Sequence, residues 1–244
     1  MSTWSIASLN PVQRKIVEHK TGPALVIAGA GSGKTRVITH RVAQLIHSGI
    51  PASSILLLTF TNKAANEMAQ RVGRALKNST EQQKIIHGTF HSVGSRFLRR
   101  NAKLLNYNNN FSILDSSDSR ELIKASLAET VGKPGKYFPK AAVLQNMFSL
   151  AFNRFCTQKM ILDQPYHERS FHLEQLISAD FPNFEENTET ILNILAAYRH
   201  KKKRGQVMDF DDLLENWLEL LLRHGEGLPL CQQIQYILVD EYQD

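Results

Sequence analysis

The sequence predicts an α/β fold, a parallel sheet flanked by helices with an all-helical subdomain inserted into it. Three observations carry that expectation. Short apolar runs alternate with helical patterns up to about residue 115, as strands joined by crossover helices do. Helical periodicity alone dominates residues 116–204. An apolar run ending in acid, residues 236–240 (YILVD), then resumes the strand pattern. The expected division is 1–115 with 205–244 as the sheet domain, incomplete at its C-terminal end, and 116–204 as the insertion.

The elements follow in order. Residues 9–13 (LNPVQ) read as a helix start, with Asn10 as cap, Pro11 in the first position and Gln13 closing a capping box. Residues 24–28 (ALVIA) read as a buried strand, 34–48 as a helix and 55–60 (ILLLTF) as the next strand. In 62–76 the residues Ala65, Met68, Ala69, Val72 and Leu76 share one helical face. A short strand at 85–90, a helix at 92–105 and a short apolar run at 111–114 complete the first part. The inserted region breaks at 132–135 (GKPG), Pro165 and Pro182, and a helix at 210–223 follows it.

Composition narrows the function. With 42% hydrophobic and 21% charged residues the chain can bury a core. Lys and Arg outnumber Asp and Glu by 29 to 23, a surplus that favours a polyanionic partner. Cys156 and Cys231 have neither disulfide-framework nor zinc-site spacing, which fits a reducing, cytoplasmic setting. The N-terminus has no signal-peptide pattern, and no apolar stretch approaches the roughly 20 residues that span a bilayer. A membrane partner is therefore not expected.

The strongest chemical signal is the run Ala28, Gly29, Ala30, Gly31, Ser32, Gly33, Lys34, Thr35, placed between a predicted strand and a predicted helix. Glycines let backbone N–H groups curl around a phosphate chain, and the helix N-terminus adds partial positive charge. Lys34 can reach β- and γ-phosphates, and the Thr35 hydroxyl can ligate Mg2+. Ala28 stands where the usual pattern has glycine. At the end of the 236–240 strand, Asp240 can hold Mg2+ opposite Thr35 and Glu241 can polarise water as a general base. A charge pair capping a strand is the plainer reading of those two acids.

Other segments support two readings each. Gln13 either closes its capping box or offers its amide to an adenine edge. Residues 59–68 (TFTNKAANEM) and 87–92 (HGTFHS) put hydroxyls, an amide, a cation and an aromatic just after strands, a mixture suited to single-stranded nucleic acid. Alternatively Asn62 caps a helix, Phe60 and Phe90 lie in the core and His91 is a satisfied buried histidine. The basic run 199–204 (RHKKKR) either lies on a phosphate backbone or is a solvated helix end. The acids of 209–214 (DFDDLL) are accounted for by a helix dipole.

Together, LNPVQ (9–13), AGAGSGKTRVITHR (28–41), LTFTNKAANEM (58–68), GTFHS (88–92), DFDDLL (209–214) and ILVDEYQD (237–244) resemble the N-terminal part of the UvrD/Rep/PcrA family of superfamily 1 DNA helicases. The resemblance covers essentially the whole chain, in the family's order and spacing. It implies a P-loop, RecA-like domain using ATP and Mg2+ to translocate 3′-to-5′ on single-stranded DNA and to open duplex at single-strand/double-strand junctions. It further implies that Gln13 and Arg36 contact adenine, Gly31 to Thr35 hold phosphates, Asp240 serves the metal, Glu241 the water, and Gln243 senses the γ-phosphate. Phe60, Thr61, Asn62, Thr89 and His91 match positions lining the single-strand track. The family continues into a second RecA-like domain that supplies arginines to the γ-phosphate and an aromatic to adenine. The chain is accordingly expected to be an N-terminal fragment, truncated within the acidic motif, that binds nucleotide weakly, hydrolyses it poorly and does not unwind DNA alone. An ATP- and DNA-binding module without catalysis is the alternative. A metabolite kinase shares only the phosphate loop and has no use for Gln243 or residues 59–68.

Overall fold

A computed structural model describes residues 6–76 and 84–243. Residue 244, the last of the acidic motif, and residues 1–5 lie outside the described residues. By its contacts the chain divides into two units, Met1–Val93 with Glu226–Asp244, and Gly94–Gly225. That division and the one expected from sequence differ in where they put residues 94–115 and 205–225. Among the described residues no helix is long and apolar enough to cross a membrane.

The first unit is built on a parallel sheet. β1 (Ile55–Leu58) is buried on both faces, as a central parallel strand must be. It pairs with β2 (Ile86–Gly88) on one side and with β5 (Tyr236–Val239) on the other, in the order β2-β1-β5. Leu56 lies opposite Ile86, and Leu58 opposite Val239. A strand 181 residues downstream in sequence is thus brought beside β1, where the acidic end of 236–240 was expected to rejoin the sheet.

Helices cover the sheet. α1 (Pro11–Val17) starts with the expected capping box: the Asn10 side chain accepts from the Gln13 N–H at 2.8 Å, and Gln13 Oε1 accepts from the Asn10 N–H at 3.2 Å. α2 (Lys34–His47) buries Val37, Val42, Ala43 and Leu45. α3 (Asn62–Leu76) buries Ala65, Met68, Ala69 and Val72, four of the five residues its periodicity singled out. Val42, Leu45, Leu57, Met68, Val72 and Leu238 form one apolar cluster between helices and sheet.

One expected strand is absent. Residues 24–28 have no strand structure, and Leu25, Val26 and Ile27 are 73%, 41% and 90% exposed. An apolar run becomes a strand only where a neighbour satisfies its N–H and C=O groups. Both edges of β1 are occupied by β2 and β5, and the segment pairs with none of the described strands. Its composition specifies burial without specifying a partner.

The second unit is mostly helical. α4 (Phe90–Asn101) runs into it, followed by α5 (Ser116–Val131), α6 (Ala141–Phe155), α7 (Gln158–Asp163), α8 (Leu173–Asp180), α9 (Thr188–Gly205) and α10 (Phe210–His224). A last short helix, α11 (Pro229–Gln233), belongs to the first unit. Two short strands, β3 (Ser112–Ile113) and β4 (Val207–Met208), pair in parallel. Ile123, Leu144, Met147, Phe171, Leu173, Leu176, Ile191 and Ile194 make up the heart of its core. α4 and α10 approach so closely that a Cβ on Gly94 would lie 2.8 Å from the Trp217 ring. No larger residue fits there without displacing the indole.

Two residues of the basic run fit neither reading given it, while the acids of 209–214 do stand at the start of α10. Arg199 and Lys202 are buried. Arg199 makes a two-pronged pair with Glu215, Nη1 to Oε1 and Nη2 to Oε2, both at 3.0 Å. Lys202 Nζ bridges Asp209 and Asp212 at 2.6 and 2.7 Å. Arg169, wholly buried, joins Glu215 and Glu219 at 2.9 Å each. Asp209 caps α10 in a capping box with Asp212, but Asp212 itself is 1% exposed. A helix dipole does not account for that burial; the opposing lysine does. Cys156 and Cys231 are free thiols.

Candidate nucleotide and nucleic-acid sites

The phosphate loop joins the irregular segment 23–29 to α2. Gly31 and Gly33 adopt φ of +73° and +89°, left-handed backbone that an L side chain adopts only under strain. Gly33 is also crowded: a Cβ there would lie 3.1 Å from Gln13 Nε2. These turns aim the loop at the start of α2, whose first N–H groups have no acceptor within the helix. Lys34 folds back onto its own loop, donating to the carbonyls of Ala28 at 3.2 Å and Gly29 at 3.4 Å. It holds the place of a cationic cradle, with backbone dipoles as provisional partners.

Thr35 Oγ1 donates to Asp240 Oδ2 at 3.4 Å, across 205 positions of sequence. Asp240 reaches that point because its N–H continues the β1–β5 ladder, donating to the Leu58 carbonyl at 2.9 Å. Its carboxylate is 7% exposed and also accepts from the Glu241 N–H at 3.1 Å. A hydroxyl and a carboxylate side by side at the mouth of a phosphate loop form a hard-oxygen pair, the donor set a magnesium ion takes. The residues present therefore fit the metal that the sequence implied. Glu241, at φ +52°, turns the chain sharply after Asp240, and its Oε2 accepts from Gln243 Nε2.

Gln13 closes its capping box, the first of its two readings. It also donates from Nε2 to the Ser32 carbonyl at 3.0 Å, tying α1 to the phosphate loop. Arg36 donates to the Ser8 carbonyl at 3.1 Å and to Ser8 Oγ at 2.9 Å, so it holds the segment preceding α1. Sequence reasoning missed Ser8 and the Ser32 carbonyl, because neither residue type carries a signal at that spacing. Gln13, the phosphate loop, Thr35 and Asp240 are thus brought together. Glu241 and Gln243 follow in the next turn and bond to one another.

After β1 and β2 the two polar segments expose their aromatics. Phe60 is 63% and Phe90 41% exposed, which corrects the reading of both as core residues. The cap of α3 is also corrected. Thr61 Oγ1 accepts from the Ala64 N–H at 3.1 Å, so the side-chain cap comes from Thr61 and Asn62 is the first helical residue. Thr89 Oγ1 likewise accepts from the Ser92 N–H at 3.1 Å, and Ser92 Oγ returns the bond to the Thr89 N–H at 2.9 Å. His91 is half-buried at the start of α4.

Comparison with known proteins gives this arrangement a family. The sequence profile of the UvrD/REP helicase N-terminal domain matches residues 9–244. The chain is 37% identical over 246 residues to ATP-dependent DNA helicase PcrA of Bacillus subtilis (strain 168), covering 100% of this chain and 30% of that protein. It is 35% identical over 240 residues to ATP-dependent DNA helicase PcrA of Leuconostoc citreum, covering 97% of this chain and 29% of the relative. The protein of the same name in Staphylococcus epidermidis strain RP62A is 34% identical over 242 residues, 98% of this chain and 30% of its own length. The chain spans about 30% of the length of these curated relatives. With a profile that reaches from the first helix cap to the acidic motif, and relatives that align along nearly every residue, the chain belongs to the UvrD/REP helicase N-terminal domain family.

Proposed function

We propose that this chain binds Mg·ATP at its phosphate loop and is the first motor domain of a cytoplasmic ATP-dependent DNA helicase. That protein would translocate 3′-to-5′ on single-stranded DNA and open duplex at single-strand/double-strand junctions. The observation that supports this most is the contact of Thr35 Oγ1 with Asp240 Oδ2 at 3.4 Å, a hydroxyl and a carboxylate of the kind that magnesium takes. The chemistry a bound magnesium would supply is positive charge to offset that developing on the phosphates. Thr35 and Asp240 would hold the ion. The backbone N–H groups of residues 29–35, from Gly29 through Ala30, Gly31, Ser32, Gly33 and Lys34 to Thr35, would cradle the phosphates.

The remaining roles are those that the family resemblance implies. Lys34 would exchange the Ala28 and Gly29 carbonyls for γ-phosphate oxygens. Glu241 would accept a proton from the attacking water, and Gln243, already bonded to it, would orient that water and report the γ-phosphate. Gln13 would meet the adenine edge beside the loop it braces, with Arg36 close by. Phe60, exposed after β1, would stack on a base, with Thr61, Asn62, Thr89 and His91 beside the strand. A second motor domain would complete the site with arginines.

DNA-stimulated ATP hydrolysis by the whole protein carrying Lys34→Ala tests this assignment. Turnover is expected to fall by roughly 10²–10³, as when one preorganised electrostatic partner of a transition state is removed. Unchanged turnover would remove Lys34 from the chemistry and the proposal with it.

A further inference from the structure

We propose that Arg41, on α2, is a positioning residue that sets the base selectivity of the nucleotide site, by clamping α1 so that the Gln13 amide presents one fixed pattern to the nucleobase. Arg41 acts here through Gln13, so the assignment rests on the reading above that Gln13 meets adenine. Arg41 Nη1 reaches from α2 to the C-terminal end of α1, donating to the carbonyls of Ile16 at 3.3 Å and Val17 at 3.1 Å. A guanidinium Nη carries two N–H groups, one for each carbonyl, and keeps them at every working pH.

α1 depends on such a tie. At seven residues it is well short of the roughly 12–15 at which an isolated helix becomes marginally stable. Leu9, Val17 and Val37 are buried together and join α1 to α2, but apolar contact is non-directional and leaves a short helix able to roll. Hydrogen bonds fix the angle. Gln13 and Val17 lie four positions apart, on one face of α1, so a grip at the Val17 end sets the direction in which Gln13 points. The carbonyls of a last helical turn lack partners within the helix, and that end carries partial negative charge, which a cation complements. Burial lowers the Arg41 pKa, a cost that a solvated arginine avoids and that the two carbonyls offset. Arg41 stands two turns beyond Lys34 on the same helix, so the clamp is referenced to the phosphate loop itself.

An amide held this way has a fixed sense. Gln13 Oε1 accepts from the Asn10 N–H at 3.2 Å and Nε2 donates to the Ser32 carbonyl at 3.0 Å; neither bond survives a flip of the amide. One lone pair on Oε1 and one N–H on Nε2 remain for a ligand. Adenine matches that pair, with its N6 amine donating and N7 accepting. Guanine puts its O6 acceptor where adenine has the amine. Oxygen then faces oxygen, and a site built to hydrogen-bond one group rejects the analogue that leaves it unpaired. Once α1 is free to roll, the amide can flip or withdraw, and discrimination falls while the phosphate cradle stays.

The test is competition of Mg·ATP and of Mg·GTP against a fluorescent ATP analogue on the 244-residue chain. Gln13→Ala is expected to lower the ratio of the GTP to the ATP dissociation constant about fivefold to tenfold, the worth of one hydrogen bond. Arg41→Ala should lower it nearly as much, and the double variant little further, because both changes act on one contact. Arg41→Lys, which keeps a charged donor for the same carbonyls, should retain most of the ratio. Arg41→Gln gives the same reading as the alanine variant should that one fail to fold. If the wild-type chain binds neither nucleotide, or Gln13→Ala leaves the ratio unchanged, the reading of Gln13 falls and Arg41 with it. If Gln13→Ala lowers the ratio and the Arg41→Ala and Arg41→Gln chains keep it, the role of Arg41 alone is overturned. Equal weakening of ATP and GTP by the Arg41 variants would make Arg41 a support of the phosphate loop and the proposal wrong.

Discussion

The two units of this chain use charge in opposite ways. In the helical unit one cluster of ionised groups is buried and paired. Arg169, Arg199, Lys202, Asp212 and Glu215 are each at most 5% exposed, and every one has an opposite charge within 3.0 Å. In the sheet unit the charged groups of the phosphate loop and acidic turn sit at the ends of strands, held by backbone carbonyls or by one another. Lys34 bonds carbonyls of its own loop, and the Glu241 carboxylate bonds Gln243. A group whose partners are all fixed protein atoms supports structure. A group parked on backbone carbonyls at a strand's carboxyl end is free to exchange them for a ligand.

That contrast can be broken most forcefully in the helical unit. Glu215→Ala leaves Arg169 and Arg199 buried with their shared carboxylate gone, and is expected to cost about 3–5 kcal/mol in urea unfolding. Lys34→Ala removes an ammonium from an accessible loop, and its unfolding free energy should stay within about 0.5 kcal/mol of wild type. Equal destabilisation by the two substitutions would dissolve the distinction. Phe60→Ala should weaken oligo-dT binding by about 1–3 kcal/mol, the value of one stacked base, and leave unfolding nearly unchanged.

The contrast also reaches pH dependence. Burial and the neighbouring Asp209 charge push Asp212 up to about 7, against 3.8 for a free carboxyl. Asp209 is also buried, yet Lys202 holds it down to about 2. A carboxyl raised on folding contributes stability that is complete below the unfolded value and is lost as pH rises through the folded one. Between pH 4 and 7 the wild-type chain should therefore lose stability, and Asp212→Asn should flatten that slope. Thermal melts across that range check it; an identical slope in the variant would show that another group titrates.

What could be read in advance was whatever rests on local spacing. The loop from Ala28 to Thr35, the capping box of Asn10 and Gln13, the buried face of α3 and the strand leading to Asp240 all depend on neighbours within a turn or a strand. What failed depends on partners distant in sequence. The apolar run at residues 24–28 announces burial but carries no information about which edge would receive it. Arg199 and Lys202 look like solvated cations because their carboxylates lie 7 to 16 positions downstream, on another helix. Of the two readings of Phe60 the core one fails: hydrophobicity favours the core on average, and only the turn after β1 decides that this ring faces water. The cap of α3 moved by one residue, from Asn62 to Thr61, because both side chains can accept the same N–H.

The most direct measurement is a double-mutant cycle on Thr35→Ala and Asp240→Asn, read by Mg2+-dependent binding of a fluorescent ATP analogue to this chain. If the two oxygens serve one magnesium-nucleotide, either substitution removes most of the Mg2+ dependence and the pair together removes little more. Additive losses, or Mg2+ dependence that survives both changes, would show that the two side chains do not share a metal.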